Sequence, residues 1–196
     1  MPLGPTAKGA ATRQRIIAGA AEVILHRGVM NTTLDDIRDH TGTSKSQLFH
    51  YFPDGKEQLL TAVAGYEAAR VLNAVQERVD PLITWQAWSA WRDQLIGEYD
   101  RHGADCSLGV LMNQLAPASP AARAVVAELT TKWHAFVRAG IAEMRRRGDI
   151  RPEVDPDRSA SAVLAGIHGG VVLLLSTGTV DHLAAALDTA IDYLKG

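Results

Sequence analysis

Apolar residues recur at helical spacing along almost the whole chain. Beyond Thr12, Ile17, Ala20, Ala21 and Ile24 fall on one face. At 3.6 residues per turn that is the buried stripe of a first helix, with Thr12 as its expected N-cap and Gly28 as its expected C-cap. Leu34 and Ile37 mark a short second helix, capped by Thr33 and ended by Gly42, with Asp35 and Asp36 in its positive first turn. Ser44 then caps a third helix, in which Leu48 and Phe52 stack one turn apart on the core side.

The same period runs on through the remainder. Lys56 to about Arg78 reads as a long helix, Trp85 to Arg101 carries Trp88, Trp91 and Leu95, and Leu108 to Leu115 forms a short helix that ends before Pro117. From Ser119 to Arg147 a stripe of Val126, Leu129, Trp133, Phe136, Val137, Ile141 and Met144 is closed by Gly148. Asp155 and Pro156 open another helix, and Val180 to Lys195 completes the set with Leu183, Leu187, Ile191 and Leu194. With no alternating strand pattern, repeat or low-complexity tract, the expected fold class is all-α. Three segments follow. Residues 1–11, aperiodic and rich in Pro, Gly and Ala, form a flexible N-terminal arm whose Lys8 can lie against a polyanion. Residues 12–56 form a three-helix unit, and residues 57–196 a helical body.

Composition narrows the setting. Of 196 residues, 46% are hydrophobic and 21% charged, and the formal net charge is -2, the balance of an ordinary globular protein without bulk basicity. The charge is uneven: residues 1–56 carry a net +2 and the rest a net -4, a basic head on an acidic body. A single cysteine, Cys106, and an N-terminus without an apolar run imply a cytoplasmic setting. The longest apolar run, Val163 to Leu175, is shorter than the roughly 20 residues that cross a bilayer. It also contains His168, so a buried helix is expected there, and no membrane partner.

Two short helices joined across Thr41-Gly42-Thr43 make a helix-turn-helix, a unit whose second helix fits the DNA major groove. Lys near the start of such a helix reaches guanine edges and Gln reaches adenine edges, while Ser, Thr and backbone N–H groups bind phosphate oxygens. An ordinary helical hairpin with a polar surface shows the same spacing. The longer stretch TTLDDIRDHTGTSKSQLFHYFPDGKEQLL, Thr32 to Leu60, goes further. It resembles the DNA-binding signature of the TetR family of transcriptional regulators almost position by position: the first helix, Thr33, Ile37, Gly42, Ser44, Leu48, the aromatic cluster Phe49 to Phe52, and Lys56 before Leu59. Two positions depart. The family commonly has Tyr where Phe49 stands, which removes one hydroxyl from the phosphate contacts, and FPDGKE is one residue longer than the commonest family version, which displaces the start of the fourth helix.

The resemblance implies a double-stranded DNA operator as partner. Lys45, Ser46 and Gln47 are then the base-edge residues, with Thr33, Ser44, His50, Tyr51 and Lys56 on phosphates. It also implies a repressor that binds a palindromic operator as a homodimer, pairs through its last two helices, and is released when a small, largely apolar ligand enters the body. Cys106 to Ala116 looks like the sixth helix of one subgroup of that family. The alternative from another class is a helical small-molecule-binding protein or enzyme that retains an unused DNA-binding module.

Within the body, Gly166, Gly169 and Gly170 interrupt a helix at a cost of roughly 1 kcal/mol each relative to Ala, which close approach of another helix offsets; a second copy is expected there, with packing inside the chain alone as the alternative. Trp88, Trp91, Met112, Trp133 and Phe136, with Gln114 and His168 as polar partners, have the make-up of a small-molecule site. The same aromatic residues at helical spacing also suit plain core. His102, Asp105 and Cys106 lie close in sequence without a zinc spacing, and no phosphate loop or nucleophile elbow occurs. No catalytic, metal-binding or cofactor-binding set is therefore expected.

Overall fold

The structure, a computed structural model, describes residues 7–76, 81–103 and 107–196. Among these every regular element is helical. The order is α1 (Ala7–Arg27), α2 (Leu34–Thr41), α3 (Lys45–Tyr51), α4 (Lys56–Gln76), α5 (Trp85–His102), α6 (Ser107–Val110), a π-helical turn (Leu111–Leu115), α7 (Ala116–Ala118), α8 (Pro120–Arg147), α9 (Pro156–Thr177) and α10 (Asp181–Lys195). Asp105 and Cys106 lie outside the described residues, as do residues 1–6 of the expected arm and the expected end of the fourth helix.

The chain groups into two compact units. The first contains residues up to Val71 together with Val110–Val126, and the second contains Leu72–Gly109 and Ala127–Gly196. In the first, α1 buries Ile16, Ile17, Ala20 and Ile24 as the spacing predicts. Its start differs from the expectation, since α1 begins at Ala7 and Thr12 is not its cap. The Thr12 hydroxyl instead donates to the Lys8 carbonyl at 3.0 Å within the helix, a bond open to any threonine in a helix interior. The short helix near Pro117 differs too. Leu111–Leu115 adopts the wider π turn, and the helical run continues through it, so Pro117 sits inside α7, where its ring offers no N–H to the preceding turn.

In the second unit, salt bridges, one polar contact and close approaches fix how the helices run. Arg92 of α5 grips Asp188 of α10 through two nitrogens, each at 2.8 Å, and Lys195 lies over the Trp85 ring, so α5 and α10 are antiparallel. Arg138 and His134 of α8 reach Asp157 and Ser161 of α9, so α8 and α9 are antiparallel. A Cβ placed on Gly170 would lie 2.6 Å from Leu183 Cα, and one on Gly166 would lie 3.2 Å from Ala186 Cβ. Both approaches are to α10 of the same chain. That corrects the expectation that these two glycines serve a second copy. Gly169 alone of the three faces open space.

α9 spans 22 residues and has a mean hydropathy of 1.7 over its most apolar window, so by length and composition it is long enough to cross a bilayer. The sequence reading counted only the uninterrupted apolar run, which stops short of this. The helix buries Val163, Leu164, Ile167, Gly170, Val171 and Leu174 along one side, the side that meets α10 at Gly170, and leaves Val172, Leu173 and Leu175 exposed.

Candidate nucleic-acid interface and effector site

The helix-turn-helix is assembled from local capping. At the start of α2 the Thr33 hydroxyl accepts from the Asp36 N–H while the Asp36 carboxylate accepts from the Thr33 N–H at 2.8 Å, a reciprocal box that satisfies two otherwise unpaired donors. Gly42 ends α2 in the left-handed region at φ 59°, where a side chain would be strained. The Arg15 guanidinium donates to the Thr41 carbonyl, tying α1 to the end of α2. A second box opens α3: Ser44 Oγ accepts from the Gln47 N–H, and Gln47 Oε1 accepts from the Ser44 N–H, each at 3.2 Å.

These bonds set what the predicted contact residues can offer. Ser44, Lys45, Ser46, Gln47 and His50 are exposed on α3, with Leu48 and Phe52 buried beneath them. Tyr51 is half-buried, edge-on to His50 at 5.0 Å between ring centroids. Phe52 lies under the guanidinium of Arg13, 5.2 Å from its ring centroid. Thr33 has both its hydroxyl and its backbone N–H directed at Asp36. Gln47 has its carbonyl oxygen in its own cap, which leaves only its amide NH2 group for a base.

Lys56 Nζ donates to the Val29 carbonyl at 3.0 Å, and the N–H of that same Val29 donates to Gln114 Oε1 at 3.0 Å. Val29 sits in the short link between α1 and α2, so side chains from α4 and from the π turn hold that link by both of its backbone polar groups. Sequence spacing gave no sign of this clamp, because its members lie 27 and 85 residues from Val29.

The electrostatics of the unit are finely balanced. Arg27 pairs with Asp36 at 2.6 Å, and Arg38 pairs with Asp35 and Asp39 at 2.7 and 2.8 Å. The hydrogen bond to Asp39 and the charges of Asp35 and Asp39 hold the Arg38 pKa above its usual value. Among the described residues Lys45 is in no ion pair. It lines a cleft of about 210 Å³ between α2 and α3 with Thr33, Leu34, Asp35, Arg38, Leu48 and Phe49.

The predicted ligand residues divide between the units. Met112 and Gln114 belong to the first, both half-buried, with the Gln114 carbonyl engaged at Val29. Trp88, Trp91, Trp133, Phe136 and His168 belong to the second. Trp88 is fully buried and donates to the Leu82 carbonyl at 2.9 Å, which makes it a satisfied core residue. Trp91 meets it edge-on at 5.6 Å. The indole nitrogens of Trp91 and Trp133 and Nε2 of His168 are buried with no hydrogen-bond partner, although His168 Nδ1 donates to the Leu164 carbonyl of its own helix at 3.0 Å. Phe136 is half-buried on α8.

The first unit thus carries a doubly capped helix-turn-helix, and the second is helical among its described residues. The comparisons assign the family. Residues 16–63 match the bacterial regulatory proteins of the tetR family, and residues 86–190 match the tetracyclin repressor-like C-terminal domain. The chain belongs to the TetR family of DNA-binding transcriptional regulators. It is 33% identical over 97 residues to the uncharacterized HTH-type transcriptional regulator Rv0196 of Mycobacterium tuberculosis, a match that covers 46% of this chain and 47%, about half, of that one. It is 36% identical over 66 residues to the HTH-type transcriptional repressor AcnR of Corynebacterium efficiens, 34% of this chain and 35% of that one. The crystal structure of a TetR transcriptional regulator from Chloroflexus aurantiacus superposes over 96% of both chains with a TM-score of 0.81 at 27% identity.

Proposed function

We propose that the protein is a repressor. As a homodimer it lays two copies of α3 into successive major grooves of a palindromic operator, and it leaves DNA when a small, largely apolar molecule occupies the second unit. The observation that carries the DNA half is the polar face of α3. Lys45, Ser46, the Gln47 amide and His50 stand outward on a helix whose opposite face is locked by buried Leu48 and Phe52. Lys56, Ser44 and His50 are the phosphate contacts of this reading, together with Tyr51. Thr33 contributes only once its donors leave Asp36. The dimer half is supported by α9, where exposed Val172, Leu173 and Leu175 and the open side of Gly169 leave apolar surface for a second copy to cover.

Selection of binding sites from random DNA, followed by titration of the selected duplex at several salt concentrations, tests the reading. A two-fold symmetric site with half-sites about one helical turn apart, bound by two chains, is the expected result. An asymmetric site bound by one chain overturns the homodimer. Affinity without sequence preference overturns the operator.

A further inference from the structure

The second unit buries three nitrogens that lack partners, and the helix registers bring the two indoles to about one level, with His168 more than one helical turn further along. With α5 antiparallel to α10, α10 antiparallel to α9, and α9 antiparallel to α8, α5 runs antiparallel to α8. Following those contacts round the unit at 1.5 Å per residue puts Trp91 and Trp133 within about 3 Å of the same height, and His168 roughly 7 to 9 Å further along. A separate contact agrees: Leu82, ahead of α5, lies against Gly140 of α8, close enough that a Cβ there would come within 2.5 Å of the Leu82 carbonyl. Counting back along α8 from Gly140 as α5 advances from Leu82 again reaches the turn that holds Trp133.

Trp91 and Trp133 are 1% and 2% exposed, so their indole N–H groups are out of contact with bulk solvent. An indole N–H can only donate. Each leaves a buried donor unsatisfied, a state that native structures rarely keep without a use for it. With Nδ1 donating to Leu164, His168 Nε2 is the acceptor of the neutral ring. Among the described residues no charged side chain of this unit is buried, so these residues offer an ionised guest no buried countercharge.

We propose that Trp91, Trp133 and His168 form the recognition set for an uncharged, mostly apolar carbonyl compound, whose acceptor oxygens take the two indole protons and whose hydroxyl, where present, gives its proton to His168. This rests on the reading that the second unit takes an effector, and it names the chemistry of that effector.

The test is a ¹H–¹⁵N titration of the full-length protein, whose four tryptophans give four indole signals, each assigned by its Trp→Phe variant. The probes are benzophenone, diphenylmethane and benzhydrylamine, which share one framework and differ in the central group: a carbonyl acceptor, none, and a cation. Benzophenone is expected to move the Trp91 and Trp133 indole protons downfield on one saturation curve while the Trp88 signal, already bonded to Leu82, stays. Diphenylmethane and benzhydrylamine are expected to bind more weakly, and Trp133→Phe, which keeps a ring in place, to weaken benzophenone about 3- to 10-fold. Equal affinity for benzophenone and diphenylmethane overturns the proposal, as does saturation with both signals unmoved or no binding at the solubility limit. An operator titration run alongside separates this inference from the repressor reading. Release of DNA with both indole signals silent removes this site and leaves the repressor standing, whereas indole shifts with DNA still bound support the site and remove release by this ligand.

Discussion

Gln47 Oε1 lies 3.2 Å from the backbone N–H of Ser44, so the residue predicted to read adenine also closes the cap of its own helix. A bidentate contact to adenine needs both the carbonyl and the NH2 of the amide. In this conformation only the NH2 is free. Gln47→Glu keeps the box, since Glu serves at that position as well as Gln, and removes the donor. The expected outcome is an unchanged melting temperature together with a loss of about 1 to 3 kcal/mol of discrimination at one base pair. A variant with unaltered base preference shows that Gln47 is cap alone.

Ser44→Ala is expected to lower stability by about 1 kcal/mol, because it leaves the Gln47 N–H without its acceptor at the start of a seven-residue helix. Urea unfolding measures it directly.

The Val29 clamp separates a structural role from an electrostatic one. Gln114→Ala leaves the Val29 N–H unpaired, so it is expected to destabilise the first unit by about 1–3 kcal/mol and to weaken operator binding with an unchanged salt slope. Lys56→Met is expected to weaken binding to every sequence and to reduce the slope of log K against log salt by about 0.9, because Nζ gives one proton to Val29 and retains two for a phosphate. Equal slopes for wild type and Lys56→Met place that lysine in the fold only.

Gly169 and Gly170 are neighbours with opposite expected phenotypes. Gly170→Ala forces a Cβ onto the Leu183 backbone and is expected to cost about 1–3 kcal/mol in thermal or chemical unfolding. Gly169→Leu points into open space, so its melting temperature should hold while sedimentation shows monomers. A stable dimer of Gly169→Leu puts the pairing surface elsewhere.

Asp36 supplies a pH dependence. Hydrogen bonds from the Thr33 hydroxyl and backbone N–H, with the charge of Arg27 beside them, hold its carboxyl below the ordinary value of 3.8. A depressed carboxyl stabilises the fold above its unfolded pKa, and that contribution is lost as pH falls through the folded one. The melting temperatures of wild type and Asp36→Asn should therefore differ by a constant amount above about pH 5 and converge in more acid solution. A difference that persists undiminished at low pH shows that the box does not use the charge.

The three-helix unit was legible because its signals are local: Thr33, Gly42 and Ser44 sit at helix ends, and Ile37, Leu48 and Phe52 at the spacings their burial requires. Thr12 misled because a threonine hydroxyl serves a helix interior as readily as a helix start. The glycines of α9 misled because a small residue announces a close approach without naming what approaches. Val29 offered nothing to read, since a backbone group carries no sequence signature and its partners come from distant segments. The orphaned indoles were legible as aromatic residues of the body. That Trp88 is satisfied while Trp91 and Trp133 are not depends on where the Leu82 carbonyl falls, which only the folded chain determines.

The π turn at Leu111–Leu115 fits one more residue into its coil than an α turn would hold. Shortening the chain there by one residue restores ordinary backbone hydrogen bonding and is, for the turn itself, an improvement. Because the wide turn absorbs the extra residue, the helical turns on either side keep their register after such a deletion, and the change falls on the side chains of the turn itself, Gln114 and its bond to Val29 among them. A single-codon deletion in this segment is therefore a local lesion, felt at the Val29 link and not in the helices on either side.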